Sequence, residues 1–115
     1  MLILPIAAFA QTCPETITVG KAEHRFERVS IYNGTAGGKE FELAPDEGKD
    51  SAGPKIVQTW NLKDYRSMNI FLRCRYHDTG IIKNLDAPAN LRSCTLTFTL
   101  DKKGVYAGKS TLLCR

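Results

Sequence analysis

The side chains with most chemical reach at regular spacing in this chain are Arg73, Arg75 and His77. They alternate with Cys74 and Tyr76, so in an extended strand they project from one side at intervals of about 6.6 Å, twice the rise per residue. A row of cationic and titratable groups can meet an acidic protein surface, an anionic glycan or a lipid head group. The competing reading is a solvated sheet face whose arginines pair with neighbouring carboxylates. Catalytic constellations are weaker. Asp78-Thr79-Gly80 matches the tripeptide that carries the carboxylate of aspartic proteases, but that chemistry needs two carboxylates sharing a proton, and one copy is present. Asp and Gly are standard turn residues, so a plain turn is expected there. His24 and His77, with Glu23 and Asp78 beside them, are too sparse a set for a metal site. No Gly-x-Ser-x-Gly elbow occurs, and no glycine-rich loop opens a helix. The chain therefore reads as non-enzymatic, with no cofactor and no metal, and with Arg73, Arg75 and His77 as candidate binding residues.

The strand that must position them is Met68–Tyr76, whose other face carries Met68, Ile70, Leu72, Cys74 and Tyr76. A second strand, Cys94–Leu100, alternates Cys94, Leu96, Phe98 and Leu100 with Thr95, Thr97 and Thr99. Both show the period of two that marks a half-buried strand. Laid side by side, they would flank the cationic row with threonine hydroxyls. A type I turn at Asp101–Gly104, with Gly104 left-handed, sets a register in which Leu100 faces Tyr106, Phe98 faces Gly108 and Cys94 faces Leu112.

Upstream, Glu15–Val19 is a short strand closed by Gly20, and Arg25–Tyr32 is a strand whose apolar phase slips, as a bulge would make it. Asn33-Gly34 is a two-residue turn signal, extended by Thr35–Gly38, before Glu40–Leu43 completes a hairpin. Ala44–Pro54 lacks any large apolar residue and reads as the longest loop. Lys55–Leu62 is a strand with Trp60 as core anchor, Asn61–Ser67 has room for one capped turn, and Ile81–Leu85 is a brief strand. Helical periodicity is lacking, so the fold class is all-β: a single small antiparallel domain over residues 11–115, as a sandwich or curved sheet.

A chain of 115 residues can bury roughly two-thirds of its unfolded surface, enough for one core. The net charge is +4 and the pI about 9.0, but the Lys and Arg are scattered rather than clustered, which disfavours nucleic acid and favours an acidic partner. Met1–Ala10 is apolar and ends in Ala8-Phe9-Ala10, the pattern of a signal-peptide remnant cut before Gln11. It is too short for a bilayer, which needs about 20 residues, so no transmembrane segment is expected. The four cysteines, Cys13, Cys74, Cys94 and Cys114, imply two disulfides in an exported chain. The expected pairs are Cys74–Cys94, joining the two core-facing strands, and Cys13–Cys114, tying down both termini.

Cys13-Pro-Glu-Thr-Ile17, Cys74-Arg-Tyr76 with Thr79 and Leu85 after it, and Cys94-Thr-Leu96 resemble the motifs of a family of small exported bacterial proteins. The resemblance implies a Gram-negative periplasmic setting and carries over no catalytic residue. The resulting expectation is a periplasmic or secreted binding protein, monomeric or weakly dimeric, acting as an inhibitor or immunity-type partner of a cell-wall-acting enzyme. The rival is direct binding of an anionic envelope glycan or lipid head group by Arg73, Arg75 and His77; a hydrolase would require a polar cleft.

Overall fold

A computed structural model describes residues 12–50, 54–65 and 68–115, and the expected leader at Met1–Ala10 lies outside them. Among the described residues the fold is all-β, with two antiparallel sheets around one core. In the first sheet, β2 (Ala22–Gly34) pairs with β6 (Ile70–Tyr76), and β6 pairs with β7 (Ile82–Asp86). β1 (Thr16–Val19) pairs with the start of β2, and β3 (Glu40–Leu43) with its end. The second sheet runs β4 (Glu47–Asp50), β5 (Lys55–Asn61), β8 (Ser93–Leu100) and β9 (Tyr106–Cys114).

Alternation decides what each strand buries. Val29 and Ile31 from β2, Leu72 and Cys74 from β6, Trp60 from β5, and Leu96 and Phe98 from β8 meet in a single cluster. The slipped phase of β2 is a bulge: the register breaks between Phe26 and Arg28, and the extra residue, Glu27, lets both Phe26 and Val29 face inward. The Trp60 indole N–H donates to the Leu43 carbonyl at 3.0 Å, linking β5 of one sheet to β3 of the other.

The two cysteine-bearing strands are not neighbours. β6 lies in the first sheet and β8 in the second, so Thr95, Thr97 and Thr99 pair with β5 and β9 and do not flank the arginines. The β8–β9 register begins as expected, with Leu100 facing Tyr106 and Gly104 left-handed (φ 78°). It then shifts between Thr99↔Ala107 and Thr97↔Thr111, where Gly108, at φ 72°, lies in the left-handed region. The shift places Cys94 opposite Cys114 instead of Leu112, with the two Cα atoms 4.0 Å apart. This is the close, non-hydrogen-bonded type of antiparallel pair, flanked by the reciprocal Ser93 and Arg115 backbone bonds.

The disulfides are accordingly Cys94–Cys114 and Cys13–Cys74, not Cys74–Cys94 and Cys13–Cys114. Cys74 and Cys94 both face the core, but from different sheets, and each finds a nearer partner. Tyr76 reinforces the first bridge by donating its hydroxyl to the Pro14 carbonyl at 2.9 Å.

Two local expectations also change, and the capped turn expected within Asn61–Ser67 is present. Ala44–Pro54 contains β4, paired to β5 through Glu47↔Thr59 and Asp50↔Ile56, while residues 51–53 lie outside the description. Asn33-Gly34 stays inside β2, and the connection to β3 is the longer Thr35–Lys39 loop. Gly34 has φ 129°, and a Cβ there would stand 2.0 Å from the Lys39 carbonyl oxygen, so glycine is demanded by close approach rather than by a two-residue turn. The turn after β5 is a 3₁₀ segment, Lys63–Tyr65, whose Lys63 N–H donates to the Asn61 side chain.

Candidate binding face on the first sheet

Arg73 and Arg75 alternate along β6 with the core residues Leu72 and Cys74, and His77 follows directly after the strand's end; each meets a different environment. Arg73 is clamped. Its terminal nitrogens donate to both Glu40 carboxylate oxygens at 3.2 and 2.7 Å, and its Nε donates to Asn84 at 2.9 Å. Beneath it Tyr32 and Phe71, cross-strand partners on β2 and β6, stack with centroids 5.0 Å apart, and the guanidinium carbon lies 4.6 Å from the Tyr32 centroid. The Tyr32 hydroxyl donates to Glu42. These two aromatics alternate with the core residues Ile31 and Leu72, so they belong to the outer face. They are nonetheless buried, because the Arg73–Glu40 pair covers them.

The Arg73 hydrogen bond, helped by the Gly37 N–H at 2.8 Å, holds the Glu40 carboxyl below its usual range, and Glu40 in turn raises the Arg73 guanidinium. Arg73 thus ties β3, β2, β6 and β7 into one plate. It is a structural device more than a free cation.

His77 is also engaged: its Nδ1 lies 2.7 Å from Glu27, and its carbonyl oxygen 2.8 Å from His24 Nδ1. Arg75 differs. It sits directly opposite Arg28 in the β2–β6 ladder, and among the described residues neither arginine makes an ion pair. Both line a cleft of about 440 Å³, with Glu27, Asp78, Ile81 and Ile82. Ile81 and Ile82 are 45% and 38% exposed. Arg28 lies within electrostatic reach of Tyr106 of the second sheet, whose hydroxyl pKa is raised mainly by burial. Asp78 has φ 58° and turns the chain, as a plain turn reading requires.

Arg28, Glu40 and Tyr32 were not singled out as candidates. The slipped phase at Glu27 was the available signal for Arg28, since bulges re-aim side chains. Glu40 and Tyr32 become visible only once β3 is known to pair with the end of β2. No group of three His, Cys, Asp or Glu among the described residues could hold a metal ion.

Fold and face together define a small disulfide-stapled β protein that presents a rigid, mixed-charge plate. Residues 21–115 match the type VI secretion system Tli immunity protein family, and the chain belongs to that family. It is an immunity-type protein, whose family description implies an effector as protein partner. The inhibitor or immunity expectation is met at that level, and so is membership of a family of small bacterial proteins. The Cys13-Pro-Glu-Thr-Ile17 motif lies outside the matched residues. The chain is also similar to an uncharacterised 16.3 kDa protein from the trpG 5′ region of Azospirillum brasilense, 27% identical over 134 residues covering 96% of this chain and 89% of the relative. No solved structure matches. No helix among the described residues is long and apolar enough to cross a membrane.

Proposed function

We propose that this protein is a periplasmic, non-enzymatic immunity protein that neutralises an effector delivered against the cell envelope. It does so by stoichiometric binding through the outer face of the first sheet. Arg73, Arg75 and His77 lie within the contact, Arg73 as the clamp that keeps the plate rigid and Arg75 as the charge that meets the partner. The observation that carries this reading is the contrast between them: Arg73 and His77 face acids of their own chain, whereas Arg75 stands beside another arginine and two exposed isoleucines. An unneutralised cation with apolar neighbours on a rigid support is the composition of an interface anchor.

The experiment is co-expression of the mature, oxidised protein with its cognate effector in a sensitive host. Protection together with a one-to-one complex supports the reading; protection without a complex removes it. The rival, direct binding of an anionic envelope glycan or lipid head group, predicts retention of the purified protein on cell wall or anionic vesicles with no effector present.

A further inference from the structure

The Arg28–Arg75 cleft allows a more specific statement, which rests on the immunity reading above. We propose that it is a receptor for one carboxylate side chain of the effector, gripped between the two guanidinium groups, with an adjacent apolar side chain of the effector seated on Ile81 and Ile82. Like charges directly opposite on adjacent strands are destabilising, and among the described residues no carboxylate is in ion-pair contact with either arginine. Glu27, the acid nearest in sequence, is engaged by His77, and Asp78 at the rim is in ion-pair contact with neither arginine. Two planar forks can hold one carboxylate with parallel N–H···O bonds, a geometry that lysine could not supply.

The surroundings favour a protein over a membrane. The lining combines charge with the apolar Ile81 and Ile82 in a cleft, whereas anionic bilayers are met by broad clusters of basic residues. The scattered +4 of this chain supplies no such cluster. The bulge at Glu27 sets Arg28 opposite Arg75.

The test has two arms. In the first, N-acetyl-glutamate amide is titrated while the arginine Nε–H signals are followed by NMR, with N-acetyl-glutamine amide as neutral control. Saturable shifts at Arg28 and Arg75 with glutamate alone are expected, with the shift at the remaining arginine weakened in each single variant, Arg28→Gln and Arg75→Gln; no shift at either arginine of the parent overturns the receptor. In the second, the affinity of the Arg28→Gln/Arg75→Gln double variant for the effector is measured once its melting temperature and disulfides are shown to match the parent. Loss of an anchoring charge pair should weaken binding by about thirtyfold or more. Undiminished binding overturns this inference and leaves the immunity reading standing, whereas failure of the parent protein to bind the effector removes the immunity reading while the glutamate titration still judges the cleft. Arginine-dependent binding to phosphatidylglycerol vesicles with no glutamate response would replace the protein carboxylate with a lipid.

Discussion

The Arg73 guanidinium is held by both oxygens of the Glu40 carboxylate, at 3.2 and 2.7 Å, and the pair closes over the Tyr32 ring. This contact spans β3 and β6 across β2, so it fixes the short Glu40–Leu43 strand to the centre of the sheet. Arg73→Ala should expose Tyr32 and Phe71 and lower the melting temperature by several degrees. Arg73→Lys should recover only part of the loss, because an ammonium cannot fork. Arg75→Ala, which removes half of a like-charge pair, should leave stability within about 0.5 kcal/mol of the parent or raise it. Thermal melts of the three variants check this, and an equal loss from Arg73→Ala and Arg75→Ala would contradict the division of roles.

The same contact sets an acid limit. The Glu40 carboxyl is depressed in the folded state, first by Arg73 and then by the Gly37 N–H. A depressed carboxyl stabilises the fold above its ordinary value of 4.5, and that contribution is lost as pH falls through the lower folded value. Glu40→Gln should therefore flatten the acid side of a stability-versus-pH curve. An unchanged curve would show that the clamp is broken in solution.

At the alkaline end, burial pushes the Tyr76 hydroxyl up to about 12 from an ordinary 10.0. A raised group stabilises fully below its unfolded value, and the contribution disappears as pH rises through the folded one. Stability should fall between about pH 10 and 12, and Tyr76→Phe should remove its share of that slope, leaving the part due to Tyr106, while also losing the bond to Pro14. Tyrosinate absorbance against pH, beside denaturant melts, measures both.

Non-reducing digestion should yield peptides joining Cys13 to Cys74 and Cys94 to Cys114. Closing the longer loop restricts the unfolded chain by about 4 kcal/mol and closing the shorter one by about 3 kcal/mol. Paired serine variants should lose stability in that order. Recovery of a Cys74–Cys94 peptide would overturn the two-sheet arrangement itself.

Gly34→Ala should cost about 2 kcal/mol or more, since the φ of 129° and the Lys39 carbonyl 2.0 Å from a Cβ both oppose it. Gly37→Ala, with open space around it and φ 82°, carries only the conformational part of that penalty. Chemical denaturation of the two variants separates close approach from backbone strain.

Alternation made most strands legible because burial imposes a period of two on each of them locally: Ile70–Tyr76 and Ser93–Leu100 could be read with no knowledge of their partners. Which strands pair is a long-range property. Cys74 and Cys94 carry the same local signature from opposite sheets, and their pairing depends on a register shift at Gly108 that the Asp101–Gly104 turn does not reveal. β4 was illegible because Glu47–Asp50 contains no apolar residue, so no alternation marks it, and its strand is defined by the pairing with β5. For the face, the row of Arg73, Arg75 and His77 could be read from spacing alone. The division of labour among them could not, since it is set by Glu40, Glu27 and Arg28, which lie more than thirty positions away in sequence and arrive by tertiary folding.

The most direct measurement is the affinity of the oxidised protein for its effector, with Arg75→Glu compared against Thr97→Glu on the second sheet. Docking through the first sheet predicts that Arg75→Glu abolishes both the complex and protection of the host, while Thr97→Glu, if folded, retains both. Retention of binding and protection by Arg75→Glu, with loss on Thr97→Glu, would place the effector on the other sheet and contradict the account.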